Sequence, residues 1–168
     1  EISILALNEK ILDVAGAFDI VLCPCIMDTK VRDVESWPDQ YVDGCLCNGS
    51  VRTSERGDMA KLLRQKSKVL VAFGSCATEG CIPGLANLTN RQEIFETVYC
   101  ESPSTDNPGR VVPLPETQSN GHHLSLPVFY DTVRTLGQTV TVDYSLPGCP
   151  PEAARIWSVA SRSGSAAA

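Results

Sequence analysis

The 168-residue sequence has no apolar run approaching the ~20 residues that a membrane-spanning helix requires, so no such helix is expected. It has no Gly-x-x-x-x-Gly-Lys-Ser/Thr loop and no Gly-x-Gly-x-x-Gly, which leaves nucleotide binding without support. It lacks a cationic excess: the formal net charge is −6, so nothing points to nucleic acid or an anionic membrane as a partner. The opening "EISILALNEK" carries acid rather than a basic start, so a secretory leader is not expected, and the location that follows is cytoplasmic. Position 1 is Glu1 and not methionine, which reads as a processed or incomplete chain. Aromatic residues are scarce, at 6%, in an otherwise ordinary α/β composition, and the length fits one domain.

What the sequence does have is cysteine: Cys23, Cys25, Cys45, Cys47, Cys76, Cys81, Cys100 and Cys149. Without a secretion signal, metal or cluster binding is the better reading of some of these, and burial as small core residues the better reading of others.

Apolar spacing predicts a helix over residues 2–15 and a short buried strand over 19–27, at a sheet edge because Pro24 cannot donate to a ladder. A strand over 40–49, a helix over 53–68 and a continuous apolar strand over 68–76 follow. Beyond these come a helix over 90–100, a long loop over 101–126 and a helix over 126–137 opened by Pro127. "TVTVDYSLP" reads as the last strand and 150–160 as the last helix, with 161–168 a flexible tail after a domain spanning 1–160. Strands alternating with helices imply a parallel sheet covered on both faces, with ligands outside the strands' carboxyl ends.

Two of the cysteines fall at such ends. "GSCATEGCIPG" and "PGCPP" each place a thiol, Cys76 and Cys149, after glycine or Gly-Ser at a strand terminus. Glycine permits close backbone approach, corner N–H groups can face anionic sulfur, and Pro150 and Pro151 stiffen the second corner. A thiolate at a helix start is a competent metal ligand.

These stretches, with "EISILALNEKILDV", "IVLCPCIMDTK" and "NGSVRTSE", resemble the small subunit of nickel–iron hydrogenases and the related 20 kDa subunit of NADH:quinone oxidoreductase. The likeness is greatest to the cytoplasmic methyl-viologen-reducing branch linked to heterodisulfide reductase. The resemblance implies an α/β, flavodoxin-like three-layer sandwich with a parallel sheet. It implies a proximal 4Fe–4S cluster held by four cysteines against a large subunit. Cys76 matches the third ligand position and Cys149 the fourth. The first pair belongs to a Cys-x-Gly-Cys motif followed by glutamate, which Glu1 matches, so both ligands and the first strand would lie upstream of residue 1. Either the sequence is part of a longer subunit or the pair has been lost; the intact contexts of Cys76 and Cys149 favour the former.

The function so implied is electron transfer through the cluster. The partners implied are a large nickel–iron hydrogenase-type subunit and a further carrier, heterodisulfide reductase-like or ferredoxin-like. The resemblance also leaves open the quinone-reducing complex, and a clusterless interaction domain is the rival from another class. Cys23, Cys25, Cys45 and Cys47 are read as buried core ahead of replacement ligands, Cys81 as packing near the cluster, and His122 and His123 as solvated loop residues. Arg52 and Glu55 are read as helix-start chemistry, and Glu1 as a residue beside the cluster.

Overall fold

The computed structural model describes residues 2–164, so the expectation for Glu1 lies outside the described residues, as does the second half of the expected tail, 165–168. Two short helices open the chain, α1 (Ile2–Leu5) and α2 (Lys10–Ala17). The expected single helix is interrupted at Asn8, which adopts φ 53°, a conformation that asparagine tolerates better than most residues. Helix α3 (Val31–Ser36) and strands β1 (Val42–Asn48) and β2 (Val51–Thr53) follow. Helix α4 (Ser54–Lys66) leads to β3 (Ser67–Phe73). Short helices α5 (Ser75–Thr78) and α6 (Cys81–Gly84), a 3-10 turn (Leu85–Leu88) and α7 (Arg91–Phe95), which runs on as a π turn over Glu96–Glu101, come next. Strands β4 (Glu116–Ser119), β5 (His122–Ser125), β6 (Phe129–Arg134) and β7 (Tyr144–Leu146) precede the final helix α8 (Ala153–Gly164). That helix carries the backbone past the expected boundary at 160.

The main sheet is parallel in the order β1-β3-β7. Strand β3 is central and apolar on both faces, as a strand covered on both sides must be. Val71 and Phe73 point to one side, where they meet Leu7, Leu146 and Ile156, with Ile4, Val14, Ala153 and Trp157 packed around them. Leu70 and Ala72 point to the other, against Ala60, Ala77 and Leu136, with Cys45, Cys47, Leu63 and Val142 alongside. Two apolar faces, each covered by helix or loop, make the three-layer, flavodoxin-like α/β fold. The outer edge of β1 has no strand partner among the described residues.

Helix α4 starts where Thr53 accepts a hydrogen bond from the Arg56 N–H, and ends with Arg64 and Lys66 where cations favour the helix dipole. Arg64 donates to the carbonyls of Ser67 and Lys68 and pairs with Asp143. Asp143 in turn accepts the Leu70 N–H at 2.7 Å, while its own N–H donates to the Leu70 carbonyl at 2.9 Å. This clamp seats the approach to β7 against β3.

Several expectations are corrected. Residues 19–27 form no strand: the Cys23 carbonyl accepts the N–H groups of both Ile26 and Met27, closing a turn. Pro24 sits at the second position of that turn, where its fixed φ is favoured. Cys25 is therefore exposed and Cys23 half-buried, not core, with their sulfurs 3.3 Å apart. Residues 126–137 hold β6 instead of a helix, because "VFYDTV" pairs antiparallel with β2 (Val51↔Arg134, Thr53↔Phe129) and long-range pairing overrides the signal of Pro127. Asn87 acts as a further strand neighbour, donating to the Val133 carbonyl and accepting its N–H. The expected loop 101–126 contains the β4–β5 hairpin, turned by Asn120 and Gly121, both at positive φ. The last strand spans only Tyr144–Leu146, and α8 starts at Ala153 instead of at Pro150.

Candidate metal centre

Asn48, Phe73 and Leu146 lie side by side in register, so the carboxyl ends of the three parallel strands form one row. The hydrogen-bond ladder continues past that row into two loops. The Gly74 N–H donates to the Leu146 carbonyl at 2.7 Å, and the Ser75 N–H to the Gly148 carbonyl at 2.9 Å. In return the Gly148 N–H donates to Ser75 Oγ at 3.0 Å. Residues 74–76 and 148–149 are thus sewn together at the end of the sheet, and Cys76 and Cys149 come out as neighbours.

The glycines are required by the backbone. Gly74 precedes α5 with φ 84° and ψ 159°. Gly148 has φ 139°, and a Cβ there would sit 2.4 Å from Pro151 Cα and 2.8 Å from Pro151 N. No side chain fits in that space. The Cys149–Pro150 peptide is cis.

A third thiol joins the pair. Cys81 opens α6, close enough for its thiol to bear on those of Cys76 and Cys149. Burial, followed by the neighbouring charges of Cys81 and Cys149, pushes the Cys76 thiol up from its ordinary pKa. Cys149 is also raised, first by its hydrogen bond with Cys81, then by the charge of that sulfur, then by burial. Cys81, read from the sequence as packing near the cluster, stands beside the pair. Gly80 and Cys81 both stand at positive φ, 87° and 47°, in the turn that "EGCIPG" makes.

Cys45 and Cys47 stand apart from this group. Both pack into the α4 side of the core, and burial raises both thiols, Cys47 to about 11. Protonated at neutral pH and half-buried against that apolar cluster, they are packing residues at the edge of the core. Arg52 is not helix-start chemistry. It is buried, lies 4.3 Å over the Phe129 ring, and its guanidinium nitrogens have no hydrogen-bond partner among the described residues. His122 and His123 are exposed on the hairpin, His123 4.0 Å from Glu116.

The donor set at the strand ends is all sulfur, which suits a soft metal or an iron–sulfur cluster. No three His, Cys, Asp or Glu side chains among the described residues are placed to hold a single metal ion. A cluster, with one thiolate per iron across several ångströms, accepts a wider set, and the neighbouring thiols of Cys76 and Cys149 are of the chemistry it takes.

The arrangement defines a class: a flavodoxin-like domain with a thiol group at the carboxyl end of its parallel sheet. The family model described as "NADH ubiquinone oxidoreductase, 20 Kd subunit" matches residues 1–162, and the chain belongs to this family, which includes hydrogenase small subunits. Over 152 residues it is 42% identical to the iron-sulfur subunit of the F420-non-reducing hydrogenase of Archaeoglobus profundus, covering 90% of this chain and 47% of that protein. Over 150 residues it is 33% identical to a subunit of the F420-non-reducing hydrogenase of Methanothermobacter thermautotrophicus, covering 89% and 44%. Against the delta subunit of the NAD-reducing hydrogenase HoxS of Cupriavidus necator the identity is 25% over 134 residues, covering 80% and 60%. The chain thus spans about half the length of the first two relatives. A chain in the crystal structure of an NAD+-reducing [NiFe]-hydrogenase in the H2-reduced state superposes with TM-score 0.76 at 27% identity, covering 93% of this chain and 78% of that one. These relatives are subunits of hydrogenases.

Proposed function

We propose that this chain relays electrons in a nickel–iron hydrogenase-type complex, with Cys76 and Cys149 as two of four ligands of a proximal 4Fe–4S cluster. The observation that carries the reading is the pair of stitched loops, which presents both sulfurs together at the end of a parallel sheet. Such a cluster, when bound, accepts and passes on one electron at a time. The chain's own contribution is to hold the sulfurs at fixed points and to bring backbone close to them. Gly74 and Gly148 allow that approach, and the flanking prolines limit movement of the Cys149 corner. The remaining two ligands are the upstream pair implied by the family motif.

The partner on this side is a large nickel-bearing subunit, and hydrogen chemistry belongs there. Ile82, Leu85 and Leu88 support the docking: they are 70%, 62% and 88% exposed and follow directly after the thiol group. Onward transfer uses a heterodisulfide reductase-like or ferredoxin-like carrier, in the cytoplasm. The family description itself keeps a second reading alive, a cluster subunit of a quinone-reducing complex. Nickel in the co-purifying large subunit separates the two.

The test is iron and acid-labile sulfide analysis of anaerobically purified full-length protein, wild type against Cys76→Ser, Cys149→Ser and Cys47→Ser. Loss of iron and of visible absorption is expected in the first two variants only. Full iron in Cys149→Ser would overturn the ligand assignment.

A further inference from the structure

We propose that Cys23 and Cys25 form a thiol–disulfide exchange site: the pair reduces an incoming aliphatic disulfide and closes to an intramolecular Cys23–Cys25 disulfide. The site lies in the loop between α2 and α3 and does not depend on the cluster reading above.

The chain carries Cys-x-Cys twice, and the backbone treats the two copies differently. Cys45 and Cys47 lie in strand β1. A strand advances about 3.3 Å per residue, which holds Cα atoms two residues apart near the outer limit of about 6.8 Å for a disulfide. Both side chains also pack against the core on the α4 side. Cys23 and Cys25 stand instead in a turn. The Cys23 carbonyl accepts the Ile26 N–H at 3.0 Å and the Met27 N–H at 2.9 Å. Thr29 Oγ1 donates to the Val21 carbonyl at 3.1 Å, which closes the base of the loop. Pro24, with its φ fixed, sits between the two thiols. The sulfurs therefore approach to 3.3 Å. A disulfide bond is about 2.05 Å long, so roughly 1 Å of side-chain movement closes it. A single metal ion takes four ligands where zinc is bound by protein. Among the described residues no third His, Cys, Asp or Glu is placed to begin such a set with this pair.

Exposure divides the roles: Cys25 is exposed and Cys23 half-buried. The Cys25 thiolate attacks one sulfur of a disulfide R–S–S–R, forming Cys25–S–S–R and releasing the first R–S⁻. The Cys23 thiolate, already beside it, then attacks the Cys25 sulfur, forming the Cys23–Cys25 bond and releasing the second R–S⁻. The pair loses two electrons, the incoming disulfide gains them, and the two thiol protons pass to the two R–S⁻ groups. An exposed disulfide in so small a ring is open to attack by thiols, which makes the step reversible.

The experiment treats anaerobically purified full-length protein, with its partners, with oxidised glutathione. After acid quenching, the remaining thiols are capped and the protein is digested with trypsin. Cleavage after Lys10 and Lys30 releases one peptide that holds Cys23 and Cys25 and no other cysteine. In wild type this peptide is expected to be lighter by two hydrogens, to carry no glutathione, and to be restored by a dithiol reductant. Cys23→Ser is expected to retain glutathione on Cys25, because no second thiol displaces it. The peptide between Arg32 and Arg52, which holds Cys45 and Cys47, should stay reduced in the same samples. A lasting glutathione adduct on wild-type Cys25 overturns the proposal, as does an internal disulfide formed equally in both peptides. Thiols at 23 and 25 that stay unmodified overturn it too; if a chelator then frees them, the pair holds a soft metal instead. Failure of the cluster reading shows separately, as full iron in Cys149→Ser, and leaves this result standing.

Discussion

A single methyl group separates the Cys149 corner from one that cannot close. At Gly148 the backbone lies at φ 139°, and the space for a Cβ is already filled by Pro151. Gly148→Ala must therefore open the corner, at a cost of roughly 1–3 kcal/mol for the backbone strain alone. Denaturant unfolding should show that loss, and iron content should fall with it, because the Cys149 sulfur moves. Gly49 also has positive φ, at 86°, but has open space around the Cβ position, so Gly49→Ala should cost less and leave the iron in place. The other cysteines separate by environment. With its pKa at about 11 and its side chain packed against the core, Cys47 should alkylate far more slowly at pH 8 than exposed Cys25, a contrast readable by peptide mass mapping.

At the scale of elements, the clamp between α4, β3 and β7 gives a pH prediction. The Leu70 N–H, and after it the Arg64 guanidinium, stabilise the ionised Asp143 and hold its pKa below the usual carboxylate range. A carboxyl depressed on folding contributes stability that is fully present above its unfolded pKa, about 3.9, and is lost as pH falls through the lower folded value. Asp143→Asn should thus lower stability at pH 7 and leave a difference from wild type that shrinks as the pH drops below about 4. Equilibrium unfolding at pH 7 and at pH 3 checks this. The elements also show what can be read from residues and what cannot. Strand β3 and helix α4 are legible because "KVLVAF" is apolar without a break and Thr53 caps a helical pattern. Strand β6 is illegible locally: Pro127 signals a helix start, and only the partner strand β2, more than seventy residues earlier, makes the segment extended. Residues 19–27 look like a strand by composition, yet a strand needs a neighbour and a turn needs only Pro24 and one carbonyl. Within the site, Cys76 and Cys149 stand out by their Gly and Pro flanks, whereas Cys81 depends on backbone handedness that composition does not reveal.

For the whole molecule, the apolar group beside the thiols should act in assembly and not in folding. Leu88 is 88% exposed, so Leu88→Ser removes little from the packed interior, and its effect on melting temperature should be small. If this face docks on a large subunit, Ile82→Ser combined with Leu88→Ser should reduce co-purification of the nickel protein while thermal stability stays close to wild type. Unchanged complex yield would place the interface elsewhere.

The stitch between Ser75 and Gly148 joins positions 73 residues apart in sequence. Closing so long a flexible loop costs about 4 kcal/mol in chain entropy, and contacts of that separation are late events in folding. Cys76 and Cys149 are therefore brought together only once β7 has paired with β3. If these thiols hold the proposed cluster, its insertion reports on that pairing: a refolding chain should show helical circular dichroism before it can take up iron and sulfide. The Ser75 and Gly148 amides should exchange with solvent only by near-global opening, and a folding-defective variant anywhere along the intervening segment should emerge colourless before it is visibly unfolded.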